Sequence, residues 1–150
     1  MRIRAFREMV ESASADWRFR SHAHPCIGAV RCAAMTQSLI TDPEREQLLA
    51  NGRASAGGQV IDPLPVVRLF TPDAHATWLL ASLDPVDEDT AYGLCDVGIG
   101  MPTLGTVKLS ELASIVGPHK RPVMRDLYFR ATRTLSEYTR LAQLNGSIMD

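Results

Sequence analysis

The segment Thr77–Leu83, with the sequence TWLLASL, is nearly all apolar and is bounded by turn-forming residues. Successive side chains of a strand point to opposite faces, so a strand that is apolar at consecutive positions is covered on both faces. Thr71-Pro72-Asp73 precedes the segment, and the acidic run Asp84–Asp89 follows it. We therefore predict that Thr77–Leu83 is the central strand of a sheet.

Four further stretches complete the predicted sheet. They are Val66–Phe70, Ala91–Val97, Leu104–Leu109 and Leu127–Arg130. Short links between successive strands are typical of an antiparallel meander, and helices at its two ends indicate the α+β class. The prediction is therefore a single small α+β domain, with an antiparallel sheet of about five strands and short helices packed on it.

Three short helices are expected around this sheet. Thr41-Asp42-Pro43-Glu44 opens the first with a capping box, and Asn51-Gly52 predicts its end. The other two are Glu111–Val116, with Ser110 as its cap, and Leu135–Leu144, ended by Asn145-Gly146.

Length and composition limit the class of protein. The chain has 150 residues, 45% hydrophobic and 22% charged, with a formal net charge of −1, which is typical of one soluble domain. No stretch reaches the ~18 consecutive apolar residues that a membrane helix needs. Three cysteines, an odd number, argue against a disulfide framework and fit a reducing compartment. We expect a cytoplasmic protein that makes no membrane contact.

Positive charge concentrates at the two ends of the sequence. Residues 1–34 hold six arginines and three acids, residues 35–112 four bases and eleven acids, and residues 113–150 six bases and three acids. Residues 1–34 also lack the apolar run of a signal peptide and a clear helix signal. We expect them to be a disordered or misannotated extension, with Met35 as the natural initiator, and residues 35–150 to form the α+β domain.

A series of short motifs follows along this domain. It comprises Asn51-Gly52-Arg53-Ala54, Asp62–Asp73, Ala76–Leu80, Tyr92–Asp96 with Gly98, Leu109–Leu112 and Arg125–Leu127. In this order the motifs resemble the bacterial family called domain of unknown function 2958, from about Leu39 to about Leu141. The resemblance implies a small single-domain protein carried on plasmids and other mobile elements of proteobacteria. It implies no catalytic residues, because the family has no agreed activity.

Two sets of potential metal ligands occur in the sequence. His22, His24, Cys26 and Cys32 offer imidazole and thiolate groups that suit tetrahedral zinc, but their spacing matches no usual zinc motif. The acidic run Asp84–Asp89 lacks the spacing and the glycine of a calcium-binding loop. We therefore predict neither a metal site nor a cofactor.

Asp96 is the candidate catalytic residue. It ends a predicted strand and precedes the glycine-containing segment 98–100, whose backbone freedom would let a substrate approach closely. A base could come from His75 or His119, and a thiolate nucleophile from Cys95. The alternative is that Asp96 accepts backbone hydrogen bonds in a turn and that Cys95 is a small buried side chain.

Basic and aromatic residues alternate in the C-terminal third of the chain. The candidate partner-binding residues are Lys120, Arg121, Tyr128, Arg130 and Arg133. Cations contact phosphates and rings stack on bases, so this pattern could bind nucleic acid. In a strand over Leu127–Arg130, Phe129 would face the core and Tyr128 would remain to stack. The alternative is a solvated basic edge of the sheet.

The leading hypothesis is an accessory protein of a mobile element that binds a protein or nucleic-acid partner and performs no catalysis. The first alternative is a small hydrolase or nuclease with Asp96 near its active site. A regulatory protein that blocks a host factor is the second. A binding protein would form salt-dependent or partner-dependent complexes, whereas the enzyme would lose turnover on Asp96→Ala.

Overall fold

A five-stranded antiparallel sheet forms the frame of the protein, which the computed structural model describes over residues 38–149. The strands are β1 (Val67–Phe70), β2 (Thr77–Leu83), β3 (Thr90–Asp96), β4 (Thr103–Lys108) and β5 (Met124–Arg125), in the order β4-β3-β2-β1-β5. The helices are α1 (Asp42–Ala56), α2 (Leu109–Ser114) and α3 (Leu135–Asn145). The predicted α+β class and small single domain are confirmed. The expected extension 1–34 and the four candidate zinc ligands lie outside the described residues.

β2 is the buried centre of the sheet. It pairs with β1 through Leu69 and Trp78, and with β3 through Leu79 and Leu94. Leu79 and Leu80 are adjacent in sequence and point to opposite faces, and both are fully buried. Both faces of the sheet are therefore covered, as the apolar sequence of this segment predicts.

Helix α3 covers one face of the sheet. One cluster of buried side chains joins the two: Leu79, Ala81, Leu94, Leu135, Tyr138 and Ala142. Asp62 holds the first turn of the helix by accepting hydrogen bonds from the backbone N and the hydroxyl of Ser136. The hydroxyl bond is the main cause that lowers the pKa of the Asp62 carboxyl below its usual range. The helix ends at Gly146, whose φ of 75° is left-handed, as its sequence predicts.

Helix α1 packs against β2 from the other face. Its capping box is present, with Thr41 N donating to Glu44 Oε2 at 2.7 Å. The same oxygen accepts a hydrogen bond from Arg125 Nη1 at 3.0 Å. Arg125 lies beside Leu69 in the strand register, on the face that points away from Leu79. The first turn of α1 is therefore fixed to the β5 edge of the sheet.

The predicted end of α1 at Asn51-Gly52 is wrong, because the helix continues to Ala56. Both residues contact β2 instead. Asn51 Nδ2 donates to the carbonyl oxygen of Ala81 at 2.7 Å, and a Cβ on Gly52 would lie only 1.8 Å from the carbonyl oxygen of Leu83. A glycine that close packing requires thus has the same sequence signature as a helix end.

The fifth strand is Met124–Arg125, and its predicted position at Leu127–Arg130 is wrong. Asp126 ends the pairing. Its backbone N donates to the carbonyl oxygen of Arg68 at 2.9 Å, and its Oδ1 accepts a hydrogen bond from Tyr128 N at 2.9 Å. This side-chain turn directs the following residues away from the sheet.

Helix α2 begins two residues before its predicted start at Glu111. Ser110, the expected cap, lies inside the helix. Its backbone N and its hydroxyl donate to the Asp89 carboxylate at 2.9 and 2.6 Å. The turn between β2 and β3 therefore supplies the carboxylate that satisfies the helix N-terminus.

We expect Gly52→Ala to lower the free energy of unfolding by about 1–3 kcal/mol or more, because the new methyl group would collide with the β2 backbone. The loss should occur although alanine favours helices more than glycine does. Gly105→Ala is the matched control, since a Cβ at that position of β4 meets open space. Urea unfolding of both variants measures the difference. Equal midpoints for the two would contradict the close approach.

Candidate partner-binding surface

The turn at Asp126 places two apolar side chains in solvent. Arg68 holds this turn, with its Nη1 3.5 Å from Asp126 Oδ2. Directly after the turn, Leu127 is 71% exposed and Tyr128 is 90% exposed. Neighbouring exposed apolar side chains of this size are typical of interaction sites.

Phe129 turns in the opposite direction and anchors the segment. It packs against the cluster between α3 and the sheet, and its ring centroid lies 6.5 Å from that of Tyr138 at an interplanar angle of 50°. Thr132 N donates to the hydroxyl of Tyr138 at 3.4 Å. The chain is therefore fixed on both sides of Tyr128, and the exposed ring is carried by an anchored backbone.

An open groove of about 270 Å³ adjoins the exposed ring. It is lined by Phe70, Arg125, Asp126, Leu127 and Tyr128. The two charged residues are already paired, Arg125 with Glu44 and Asp126 with Arg68. The groove therefore offers a partner chiefly the apolar surfaces of Phe70, Leu127 and Tyr128.

The sequence-predicted basic residues fall into two groups, which β5 separates. Arg130 and Arg133 are exposed and follow Tyr128 in the same segment. Lys120 and Arg121 lie before β5, in the turn between the bridged residues Val116 and Pro122. We call residues 124–133 the binding segment and residues 117–121 the basic turn.

Asp73 fixes the basic turn. Its Oδ2 accepts a hydrogen bond from His119 N at 3.3 Å, and its Oδ1 lies 3.9 Å from Arg121 Nε. A Cβ on Gly117 would lie 2.8 Å from Asp73 Oδ2, so a larger residue there would require this carboxylate to shift. The Arg121 side chain remains 65% exposed. One of the predicted cations is thus partly neutralised by a buried acid.

Asp96 is only 4% exposed, and both of its carboxylate oxygens accept backbone hydrogen bonds. Oδ1 accepts from Gly98 N at 2.9 Å, and Oδ2 accepts from Ile148 N at 3.0 Å. The carboxylate thus forms the turn after β3 and fastens the C-terminal segment to it. These contacts favour the turn interpretation of Asp96, and its catalytic role stays a prediction.

The other candidate catalytic groups are arranged for packing and turns. Burial raises the pKa of the Cys95 thiol to about 11, so the thiol is protonated at neutral pH. His75 has a left-handed φ of 51° in the loop before β2, and His119 belongs to the basic turn. Cys95 points to the face of β3 opposite Asp96, because the two are consecutive strand residues.

Carboxylates of the acidic run Asp84–Asp89 accept hydrogen bonds from neighbouring residues and from Ser110. Asp87 accepts hydrogen bonds from Thr90 Oγ1 at 2.6 Å, from Thr90 N at 2.9 Å and from Asp89 N at 3.0 Å. The bonds from Thr90 are the main cause that lowers the pKa of Asp87 to about 2. Among residues 38–149, no group of three or more His, Cys, Asp or Glu side chains could hold a metal ion.

The groove beside Tyr128 was not predicted from the sequence. In a strand over Leu127–Arg130, Leu127 would share the core-facing side with Phe129, whereas the turn exposes Leu127. The turn could have been predicted from Asp126, because an aspartate often accepts a hydrogen bond from the backbone N–H two residues further on, here that of Tyr128.

Comparison with known proteins identifies a family whose description states no activity. The model of a family described as "Protein of unknown function (DUF2958)" matches residues 39–149. No curated protein and no solved structure matches the chain. Within the part of the chain that the structure describes, no helix is long and apolar enough to cross a membrane.

If Asp96 holds the turn, Asp96→Ala should lower the free energy of unfolding by roughly 1–3 kcal/mol, because two backbone N–H groups lose the buried carboxylate that accepts their hydrogen bonds. Asp96→Asn keeps one acceptor oxygen and should lose less. Denaturant unfolding of both variants measures the order of the losses. Unchanged unfolding by Asp96→Ala would contradict the turn role.

The raised pKa of Cys95 predicts that its thiol is alkylated slowly. In the full chain carrying Cys26→Ser and Cys32→Ser, Cys95 should react with iodoacetamide far more slowly than free cysteine at about pH 8–9, where an ordinary thiol ionises. Because the thiolate forms only as the pH approaches about 11, the rate should keep rising up to that pH. The denatured chain is the control and should react at the ordinary rate. A native rate equal to it would overturn the prediction.

Proposed function

Because the chain belongs to the family of proteins of unknown function DUF2958, whose description states no activity, we propose its function from its surface. The protein is a binding protein that performs no catalysis. Its binding segment, residues 124–133, contacts a protein partner that presents acidic side chains beside an apolar one. The groove receives the apolar side chain, and Arg130 and Arg133 contact the acidic ones.

The observation that carries this proposal is the exposed ring of Tyr128 on an anchored backbone. Tyrosine and arginine are the residues that most often dominate binding energy at protein interfaces. A ring that is 90% exposed, beside Leu127 at 71%, gains the most from being covered by a partner. Since the flanking residues are fixed by Asp126 and by the packing of Phe129, little backbone order has to be created on binding.

The distribution of charge supports an acidic protein partner. Residues 113–150 carry six bases and three acids, and the two acids nearest the groove are paired with Arg68 and Arg125. The acidic run Asp84–Asp89 follows β2, whereas the basic turn contacts Asp73, which precedes β2. The opposed charges therefore occupy opposite ends of the central strand. Such separation orients an approaching acidic surface toward the basic end.

A second candidate partner is single-stranded nucleic acid. The specific observation in its favour is an exposed ring beside two exposed arginines, because bases stack on such rings while arginine contacts phosphate. Residues 35–150 carry ten bases and fourteen acids, so the attraction to a polyanion would be small. This balance of charge makes it the second candidate. The hydrolase or nuclease alternative has less support, because both carboxylate oxygens of Asp96 are engaged.

We infer a cytoplasmic location in a bacterium, in the service of a plasmid or another mobile element. The support for the location is the odd number of cysteines and the half-buried, protonated thiol of Cys95, which suit a reducing compartment. The support for the mobile element is the resemblance of the ordered motifs. An accessory protein of this kind acts through the partner that it binds, which agrees with a surface built for contact.

We expect Tyr128→Ala to weaken the partner complex by about 2 kcal/mol, or roughly 30-fold in affinity, because the ring is the main apolar contact. Arg130→Glu should also weaken it, by reversing the charge that faces the acidic partner. Val86→Ala and Arg53→Ala are matched controls, since Val86 is also 90% exposed and Arg53 is an exposed arginine at the end of α1. Affinity capture from the native host followed by titration with the identified partner measures these changes.

Two results would contradict the proposal. One is a captured partner whose affinity is the same for the parent chain, Tyr128→Ala and Arg130→Glu. The other is binding of an oligonucleotide whose logarithmic affinity falls with logarithmic salt at about −0.7 per contact and loses ~1–3 kcal/mol on Tyr128→Ala. That second result would establish the nucleic-acid candidate in place of a protein partner.

A further inference from the structure

We propose that the basic turn, residues 117–121, binds the phosphate backbone of a nucleic-acid duplex without reading its sequence. The turn is a different surface from the groove beside Tyr128, because none of its residues lines that groove. The proposal does not depend on the protein partner of the binding segment.

The basic turn is a tight hairpin that presents nitrogen-bearing side chains. Lys120 N donates to the carbonyl oxygen of Gly117 at 2.9 Å, and Gly117 N donates to the carbonyl oxygen of Arg121 at 2.8 Å. The ring of Pro118 fixes its own φ between them. His119, Lys120 and Arg121 are all exposed. Three consecutive basic residues therefore project into solvent from a backbone that hydrogen bonds close.

Lys120 occupies a backbone conformation that is unfavourable for a residue with a side chain. Its φ is 61°, in the left-handed region where a hairpin of this kind usually has glycine. Three non-glycine residues of the described part of the chain have such a φ, and two of them, Lys120 and His75, lie in the two loops that Asp73 joins. An unfavourable conformation that is kept at a surface position indicates that the side chain is used.

The charge around the turn is positive although residues 35–150 carry more acids than bases. Residues 112–125 contain no Asp or Glu, and the side chain of Asp73, which anchors the turn, is only 5% exposed. The acidic run Asp84–Asp89 follows the other end of β2, about 20 Å away at ~3.3 Å per residue. Because the Debye length is about 8 Å at physiological ionic strength, its repulsion of a polyanion at the turn is largely screened.

The composition of the turn fits a phosphate backbone better than an acidic protein. Residues 117–122 hold no large apolar side chain, whereas the centre of a protein interface is apolar. Contacts with backbone phosphates are mainly electrostatic and need only projecting cations. Residues 117–122 also contain no Phe, Tyr or Trp on which the bases of a single strand could stack, which favours a duplex.

A single small phosphate fits the turn less well, because its backbone N–H groups are already used. Those of Gly117 and Lys120 bond within the turn, and that of His119 bonds to Asp73. Pro118 has none. Small anions are typically held by converging backbone N–H groups. The projecting side chains suit instead the closely spaced phosphates of an extended polyanion.

Fluorescence anisotropy of a labelled DNA duplex of mixed sequence, titrated with the full chain at low salt, measures the binding. With two or three phosphate contacts, the logarithm of the binding constant should fall with the logarithm of salt with a slope of about −2 to −3. Lys120→Gly should weaken binding about fivefold, the effect of one unit charge about 4 Å from a phosphate in water, and should flatten the slope by about 0.9. Lys120→Arg keeps the charge and should keep the binding.

Lys120→Gly separates binding from folding. Glycine relieves the left-handed strain, so the variant should unfold at an equal or higher urea concentration while it binds the duplex more weakly. The difference between this variant and the parent chain is the decisive quantity, because both contain the six arginines of residues 1–34.

Glu88→Gly is the matched control, since it removes the third left-handed residue, in the acidic run. Arg53→Ala removes an exposed arginine of α1. Neither should weaken binding of the duplex, and Tyr128→Ala should leave it unchanged. A second duplex of unrelated sequence should compete equally, because phosphate contacts carry no sequence information. Inorganic phosphate at the same ionic strength should not compete.

The proposal would be overturned if the parent chain at tens of micromolar did not bind the duplex, or if Lys120→Gly bound it as tightly as the parent. Stronger competition by poly-L-glutamate than by unlabelled duplex would assign the turn to an acidic protein instead. Competition by inorganic phosphate would assign it to a small anion. Binding that is lost on Tyr128→Ala but kept on Lys120→Gly would assign the duplex to the binding segment. Failure at Lys120 leaves the proposed function intact, because Tyr128→Ala tests that function with the protein partner.

Discussion

The structure depends on the burial of β2 on both faces. Leu79 and Leu80 are fully buried on opposite sides of one strand, so a second layer is required on each side. Helix α3 supplies one layer through Leu135 and Tyr138, and α1 supplies the other. The approach of α1 is so close that its contact position has to be glycine, Gly52. The central strand therefore dictates both the number of layers and the residue types that cover it.

The regular part of the fold could be predicted because it follows from local pattern. A continuous apolar run predicts β2, the short links between strands predict the meander, and a capping box predicts the start of α1. The errors arose where a tertiary contact replaced the local rule. Asn51-Gly52 has the signature of a helix end, but the pair contacts β2, and Leu127–Arg130 has the composition of a strand, but Asp126 turns the chain first. Neither contact can be read from neighbouring residues alone.

The candidate site illustrates the same limit. The sequence predicts that Phe129 faces the core and that Tyr128 is exposed, and in the structure Phe129 is partly buried against the α3 cluster while Tyr128 is exposed. The cause is different from the predicted one. The turn formed by the Asp126 side chain, and not the alternation of side chains along a strand, exposes Tyr128. The groove beside Tyr128 also includes Phe70, which is more than 50 residues away in sequence. Only the pairing of β1 with β5 brings these residues together.

The shortness of β5 has a dynamic consequence. Two residue pairs join it to β1, and the ion pair between Arg125 and Glu44 adds one contact to α1. Local opening of so short a strand needs far less free energy than global unfolding, which the central strands resist together. The backbone amides of β5 should therefore exchange hydrogen with solvent much faster than those of β2. The pairing of β5 with β1 can therefore open while the core remains closed, whereas the residues after β5 stay fixed through the packing of Phe129, so this strand edge and the core belong to separate cooperative units.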